Sequence, residues 1–76
     1  MKDWVCIYST SLQPSAEMIR GLLTFNGINS VVVNKQDSSY KFGEFEVFVN
    51  RNDELQARFL LKENNESTEP EAPSNN

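Results

Sequence analysis

The 76-residue sequence has no histidine, one cysteine, three glycines and three prolines. Without histidine, imidazole acid–base catalysis is excluded. One thiol and no imidazole also exclude the usual zinc sets, which draw on several Cys or His ligands. A single cysteine cannot close an internal disulfide, so nothing points to an oxidising compartment. No long apolar run is present: Met1-Lys2-Asp3 leads into an apolar stretch of about five residues, too short for a signal peptide or a membrane span. These absences lead us to expect a small cytoplasmic protein of one domain, with no cofactor and no membrane contact.

The residues that are present divide unevenly. Residues 64–76 (NNESTEPEAPSNN) hold three Glu, no base and a single apolar residue, Ala72. Such a stretch buries too little surface to offset its ordering entropy, and the expectation is a disordered acidic tail after a domain spanning 1–63. The formal net charge of −4 therefore belongs mostly to the tail. A domain near 60 residues is marginal on its own. With no disulfide or metal in prospect, a homo-oligomer is the expected source of further stability.

Trp4–Ser9 (WVCIYS) is a continuous apolar and aromatic run that predicts a first strand. Thr10-Ser11-Leu12-Gln13-Pro14-Ser15 marks a helix entry, with Pro14 suited to the first turn and the cap open among Ser11, Gln13 and Ser15. The helix should run to about Asn26 and stop at Gly27, a natural left-handed residue after a helix. At 100° per residue, Leu12, Met18, Ile19, Leu22, Leu23 and Phe25 share half of the wheel, a broad apolar face. Ser30–Asn34 (SVVVN) predicts a second strand. Glu44–Val49 alternates, with Phe45, Val47 and Val49 on the expected core side and Glu44, Glu46 and Phe48 opposite. Asn52 is the expected cap of a second helix reaching about Glu63, with Asp53 and Glu54 in its positive first turn.

The order β-α-β-β-α predicts an α+β fold of the ferredoxin-like, split β-α-β kind. It would have a three-stranded antiparallel sheet ordered 1-3-2, with two helices on one face. The usual fourth strand is missing, which leaves the first strand with an open edge. Simple alternation puts Val5 and Ile7 on one face of that strand and Trp4, Cys6 and Tyr8 on the other. Trp4, Tyr8 and Phe48 are thus candidate interface residues on the helix-free face or at the edge.

Residues 35–43 (KQDSSYKFG) are longer than two neighbouring antiparallel strands require. Lys35, Gln36, Asp37, Ser38, Ser39 and Tyr40 offer both charge signs, an amide and three hydroxyls, groups suited to binding a partner from a rigid base. The competing reading is a solvated loop with an Asp37-Ser38 turn. Glu44 and Glu46, about 7 Å apart along one strand face, could hold a cation or act as an acid–base pair. Without a nucleophile or further ligand nearby, pairing with Lys or Arg is the expected role. Cys6, mid-strand, should behave as a small hydrophobe. The run Lys41-Phe42-Gly43-Glu44-Phe45-Glu46-Val47-Phe48 loosely matches the aromatic strand of RNA-recognition motifs. The two glutamates on the stacking face and the net negative charge oppose nucleic acid as a partner.

Trp4 to Ser9, the helix ending Asn26-Gly27-Ile28, the Asn34-Lys35-Gln36-Asp37-Ser38-Ser39-Tyr40 segment and Gly43-Glu44-Phe45-Glu46-Val47 together resemble a family of short bacterial proteins described as signal-transducing. The resemblance covers roughly residues 4–63. It implies a fold similar to the PII nitrogen-regulatory proteins, which are trimeric and ferredoxin-like and reach targets through a long loop between strands two and three. Residues 35–43 stand in that topological place, although the loop is much shorter here and the last strand is missing, so PII nucleotide binding is not carried over. No catalytic residue follows from the resemblance. The expectation is a non-enzymatic regulatory module that presents residues 35–43 to a partner protein. The alternative is a small-molecule-binding accessory subunit, its ligand held between the loop and the open sheet face.

Overall fold

The computed structural model describes residues 3–35 and 44–68. Along the chain lie β1 (Trp4–Thr10), α1 (Gln13–Phe25), β2 (Ser30–Asn34), β3 (Phe45–Asn50), a 3-10 turn at Arg51–Asp53 and α2 (Glu54–Thr68). The sheet order is β1-β3-β2, and β3 pairs antiparallel with both neighbours. This is the expected split β-α-β arrangement.

Alternation in β3 sets the two sides of the sheet. Phe45, Val47 and Val49 are buried, and they join Ile7, Ala16, Ile19, Leu23, Ile28 and Ala57 in one apolar cluster. That cluster takes residues from both helices, so both cover the same sheet face. The partners of the buried row are Ser30, Val32 and Asn34 on β2 and Val5, Tyr8 and Thr10 on β1.

Tyr8 is a correction. The β1–β3 register slips between Cys6 and Tyr8, with Cys6 opposite Phe48 and Tyr8 opposite Val47. Ile7 is the extra residue of this bulge, and beyond it the alternation of β1 reverses. Ile7 and Tyr8 therefore both pack with the helix-side core. Trp4 and Cys6 keep the helix-free face, but Tyr8 does not join them.

Helix ends show where local chemistry was legible. Gly27 has φ +80°. Its N–H donates to the Thr24 carbonyl at 2.9 Å, and the Ile28 N–H donates to the Leu23 carbonyl at 2.8 Å. This is the Schellman pattern, closed by the apolar residues Leu23 and Ile28 in the core. At the other end of α1 the cap is Leu12, with no side-chain cap bond, rather than Ser11, Gln13 or Ser15. The Thr10 hydroxyl accepts the Leu12 N–H at 3.1 Å, which turns the chain out of β1. The Leu12 carbonyl then accepts from Ser15 and Ala16. Pro14 falls in the first turn, where an N–H has no intrahelical partner.

The entry to the second helix is capped by Asn50 rather than Asn52, and leads first into the 3-10 turn at Arg51–Asp53. The Asn50 side chain accepts the Asn52 N–H at 2.9 Å, and the 3-10 turn intervenes before α2. The helix continues to Thr68, beyond the boundary at 63 expected from composition. Residues 64–68 are poor helix formers but contain no Gly or Pro to stop it. Residues 69–76 lie outside the described residues.

The broad apolar face of α1 is only half used. Ala16, Ile19 and Leu23 are buried, whereas Leu12, Met18 and Phe25 are exposed, Phe25 at 89%. A three-stranded sheet is too narrow to cover a half-wheel, so the stripe nearest the sheet is buried and the remainder faces outward.

Three substitutions test this packing by chemical denaturation. Leu23→Ala should cost about 3 kcal/mol, the range for a fully buried leucine. Gly27→Ala should cost about 1 kcal/mol through positive φ alone, because an added Cβ meets nothing within 4 Å. The Ser30 hydroxyl is buried without a hydrogen-bond partner, so Ser30→Ala should stabilise the fold by roughly 1 kcal/mol. A loss of stability for Ser30→Ala would contradict this placement.

Candidate functional site

The connection between β2 and β3 has a pinned base. The Lys35 N–H donates to the Glu44 carbonyl, and the Glu44 N–H donates to the Thr10 carbonyl at 3.0 Å. The two ends of the connection are thereby tied to each other and to β1. Lys35 also places its Nζ 3.5 Å from Glu46 Oε1, on the helix-free face. This is the pairing expected for a glutamate on that side. Of the candidate loop residues, Lys35 is located here, whereas Gln36, Asp37, Ser38, Ser39 and Tyr40 lie outside the described residues.

The helix-free face is apolar at its centre. Cys6, Phe48 and Val31 form a cross-strand row through β1, β3 and β2. Trp4 flanks the row opposite Asn50, and Val33 flanks it opposite Glu46. Val31 is 38% exposed, and Trp4, Cys6, Val33 and Phe48 are half-buried. Trp4 and Phe48 thus share the helix-free face. Val31 and Val33 complete the surface, but sequence reasoning did not name them. Their run of valines carries no alternation of its own, and their facing follows only from pairing with β3.

The free edge of β1 is occupied at one point by a side chain from α2. Arg58 Nη2 donates to the Cys6 carbonyl at 3.4 Å, and Arg58 Nε donates to Glu54 Oε2 at 2.9 Å. The i, i+4 spacing of Glu54 and Arg58 signals their ion pair in the sequence. The reach to Cys6, 52 residues away in the chain, is tertiary and has no local signal.

On the helix side, a cavity of about 440 Å³ opens between β1 and the helices, lined by Ile7, Tyr8, Met18, Ile19, Leu61, Lys62 and Asn64. Tyr8 stands here because of the bulge. The lining is aliphatic and aromatic with a polar rim, and it carries no acid–base pair.

The chemistry available to these surfaces is limited. Among the described residues, no group of three or more His, Cys, Asp or Glu could hold a metal ion, and no helix is long and apolar enough to cross a membrane. Burial pushes the Cys6 thiol above its ordinary range, and the nearby Glu46 carboxylate adds to the shift. Cys6 should therefore react with iodoacetamide at pH 8 more slowly in the folded chain than in urea, with its alkylation midpoint at higher pH. Equal rates in the two states would contradict its placement in the sheet.

No curated protein and no solved structure matches the chain. The family model described as "Putative prokaryotic signal transducing protein" matches residues 4–65, from the start of β1 into α2. That span contains all three strands, the pinned connection and both sheet faces. The chain belongs to this family of prokaryotic signal-transducing proteins.

Proposed function

We propose that the protein is a non-enzymatic regulatory module, acting in the cytoplasm, that presents residues 35–43 to a partner protein. The supporting observation is the pinned base of the β2–β3 connection. Two backbone hydrogen bonds and the Lys35–Glu46 ion pair hold its ends, so a connection longer than strand pairing needs starts and finishes at fixed points. Recognition segments on rigid scaffolds have this construction. The family's signalling description agrees with a role in which binding, rather than bond-making, is the output.

The test is a comparison of wild type with a variant in which Gln36, Asp37, Ser39 and Tyr40 are all changed to Ala. Exposed loop side chains usually contribute within about 0.5 kcal/mol each, so the variant should melt close to wild type. It should lose the partner that the wild-type chain retains from lysate of the native host. Severe unfolding, or retention of the same partner at wild-type yield, would contradict the proposal. A small molecule that raises the melting temperature of wild type but not of the variant would instead point to ligand binding at the same segment.

A further inference from the structure

We propose that the cavity between β1 and the two helices binds a small organic acid, one with an apolar body and a single carboxylate. The site is built without residues 35–43 and does not rest on their proposed role.

The first observation is that the bulge of β1 builds the cavity wall. Regular alternation would put Ile7 on the helix side and Tyr8 on the other. The register slip between Cys6 and Tyr8 turns both neighbours to the helix side, and both line the cavity. Bulges commonly re-aim a side chain beside a site. Tyr8 brings an aromatic ring and a phenol hydroxyl. Among the described residues that hydroxyl has no hydrogen-bond partner, and it is not sealed from solvent.

The second observation is the floor. Ile7 and Ile19 belong to the buried apolar cluster, so the cavity reaches down to the core of the domain. Leu61 packs against that cluster from α2, and Met18, 69% exposed, stands at the mouth. An unbranched thioether adapts its shape to what it covers. The volume, about 440 Å³, falls within the range of roughly 300–1,000 Å³ that small-molecule sites occupy.

The third is charge, which selects the occupant. The chain has a net charge of −4, yet the one charged residue in the cavity lining is a cation, Lys62. Among the described residues no ion pair engages it. The helix arginines differ: Arg20 and Arg58 are each held by a glutamate one turn away. Glu63, the neighbour of Lys62, lines a separate hollow with Leu22 and Leu60. A carboxylate only accepts hydrogen bonds, and an ammonium and a phenol can both donate to it. Its hydrocarbon body would cover the isoleucine floor. A ligand cation would meet Lys62 as a like charge, and a neutral hydrocarbon would leave both donors unused. A phosphate dianion would find a single cation.

The test titrates octanoate into the isotope-labelled full chain and follows the amide resonances, up to about 20 mM for a ligand of about ten heavy atoms. Saturable shifts should centre on Ile7, Tyr8, Ile19 and Leu61, with Trp4 and Phe48 on the other face unmoved. Octanol and octylammonium carry the same chain, and each should bind at least about threefold more weakly than octanoate. Lys62 is exposed, so Lys62→Gln should fold, by circular dichroism, and lose the preference of octanoate over octanol. Arg20→Gln makes the same change of charge away from the cavity and should keep that preference. The variant with Gln36, Asp37, Ser39 and Tyr40 changed to Ala should bind octanoate as wild type does, which separates this site from the loop. Absence of saturable shifts in wild type would overturn the proposal. So would shifts centred on the helix-free face, octanol binding as tightly as octanoate, an unchanged preference in Lys62→Gln, or loss of binding in the loop variant.

Discussion

Everything in this fold hangs on β3. Among the described residues it is the one strand that β1 and β2 both pair with, and its inward row of Phe45, Val47 and Val49 is the floor on which both helices rest. Burying that row is what organises the chain. Two strands that do not touch each other become one sheet through β3, and α1 and α2 meet on a common face because that is where the apolar floor lies. The same strand carries Glu46 and Phe48 on its other side, so its period of two also determines what the open face offers. Bulk apolar burial supplies the driving force, and the alternation of β3 supplies the direction.

Legibility in the sequence follows from this. Glu44–Val49 alternates cleanly, and its facing was readable. Gly27 marks the end of α1 because few other residues accept its conformation cheaply. β1 was not readable in the same way. WVCIYST is apolar almost throughout, so its face assignments depended on an assumed regular register, and the bulge at Ile7 broke it for Tyr8. The Asn50 cap was mistaken for Asn52 because both are asparagines near a plausible start, and only the end of β3 distinguishes them. The end of α2 was placed too early because composition weighs propensity, whereas a helix that is already propagating needs a positive stop signal. The apolar half-wheel of α1 overstated its buried face, since width of burial is set by the narrow sheet beneath it and not by the helix. Of the candidate site, the pairing of a β3 glutamate with a lysine and the facing of Trp4 and Phe48 away from the helices were legible. Arg58 at the β1 edge was not, because a contact between residues 52 positions apart leaves no local trace.

A domain of this size has little interior to draw on. Among the described residues nine make up the buried apolar cluster, while Met18, Phe25, Leu55 and Phe59 stay largely in solvent. The division of labour is spatial. The helix side provides the core, the opposite face is apolar at its centre, and the ends of the β2–β3 connection are pinned at one end of that face, beside Lys35 and Glu46.

The central role of β3 is read most directly by native-state amide hydrogen exchange, resolved by residue. A strand flanked on both sides has all its amides hydrogen-bonded, whereas an edge strand has only those that point inward. Phe45–Asn50 should therefore be protected at every residue, and Trp4–Thr10 and Ser30–Asn34 only at those turned toward β3. Alternating protection along β3, or continuous protection along β1 as if a further strand lay beyond it, would contradict this arrangement.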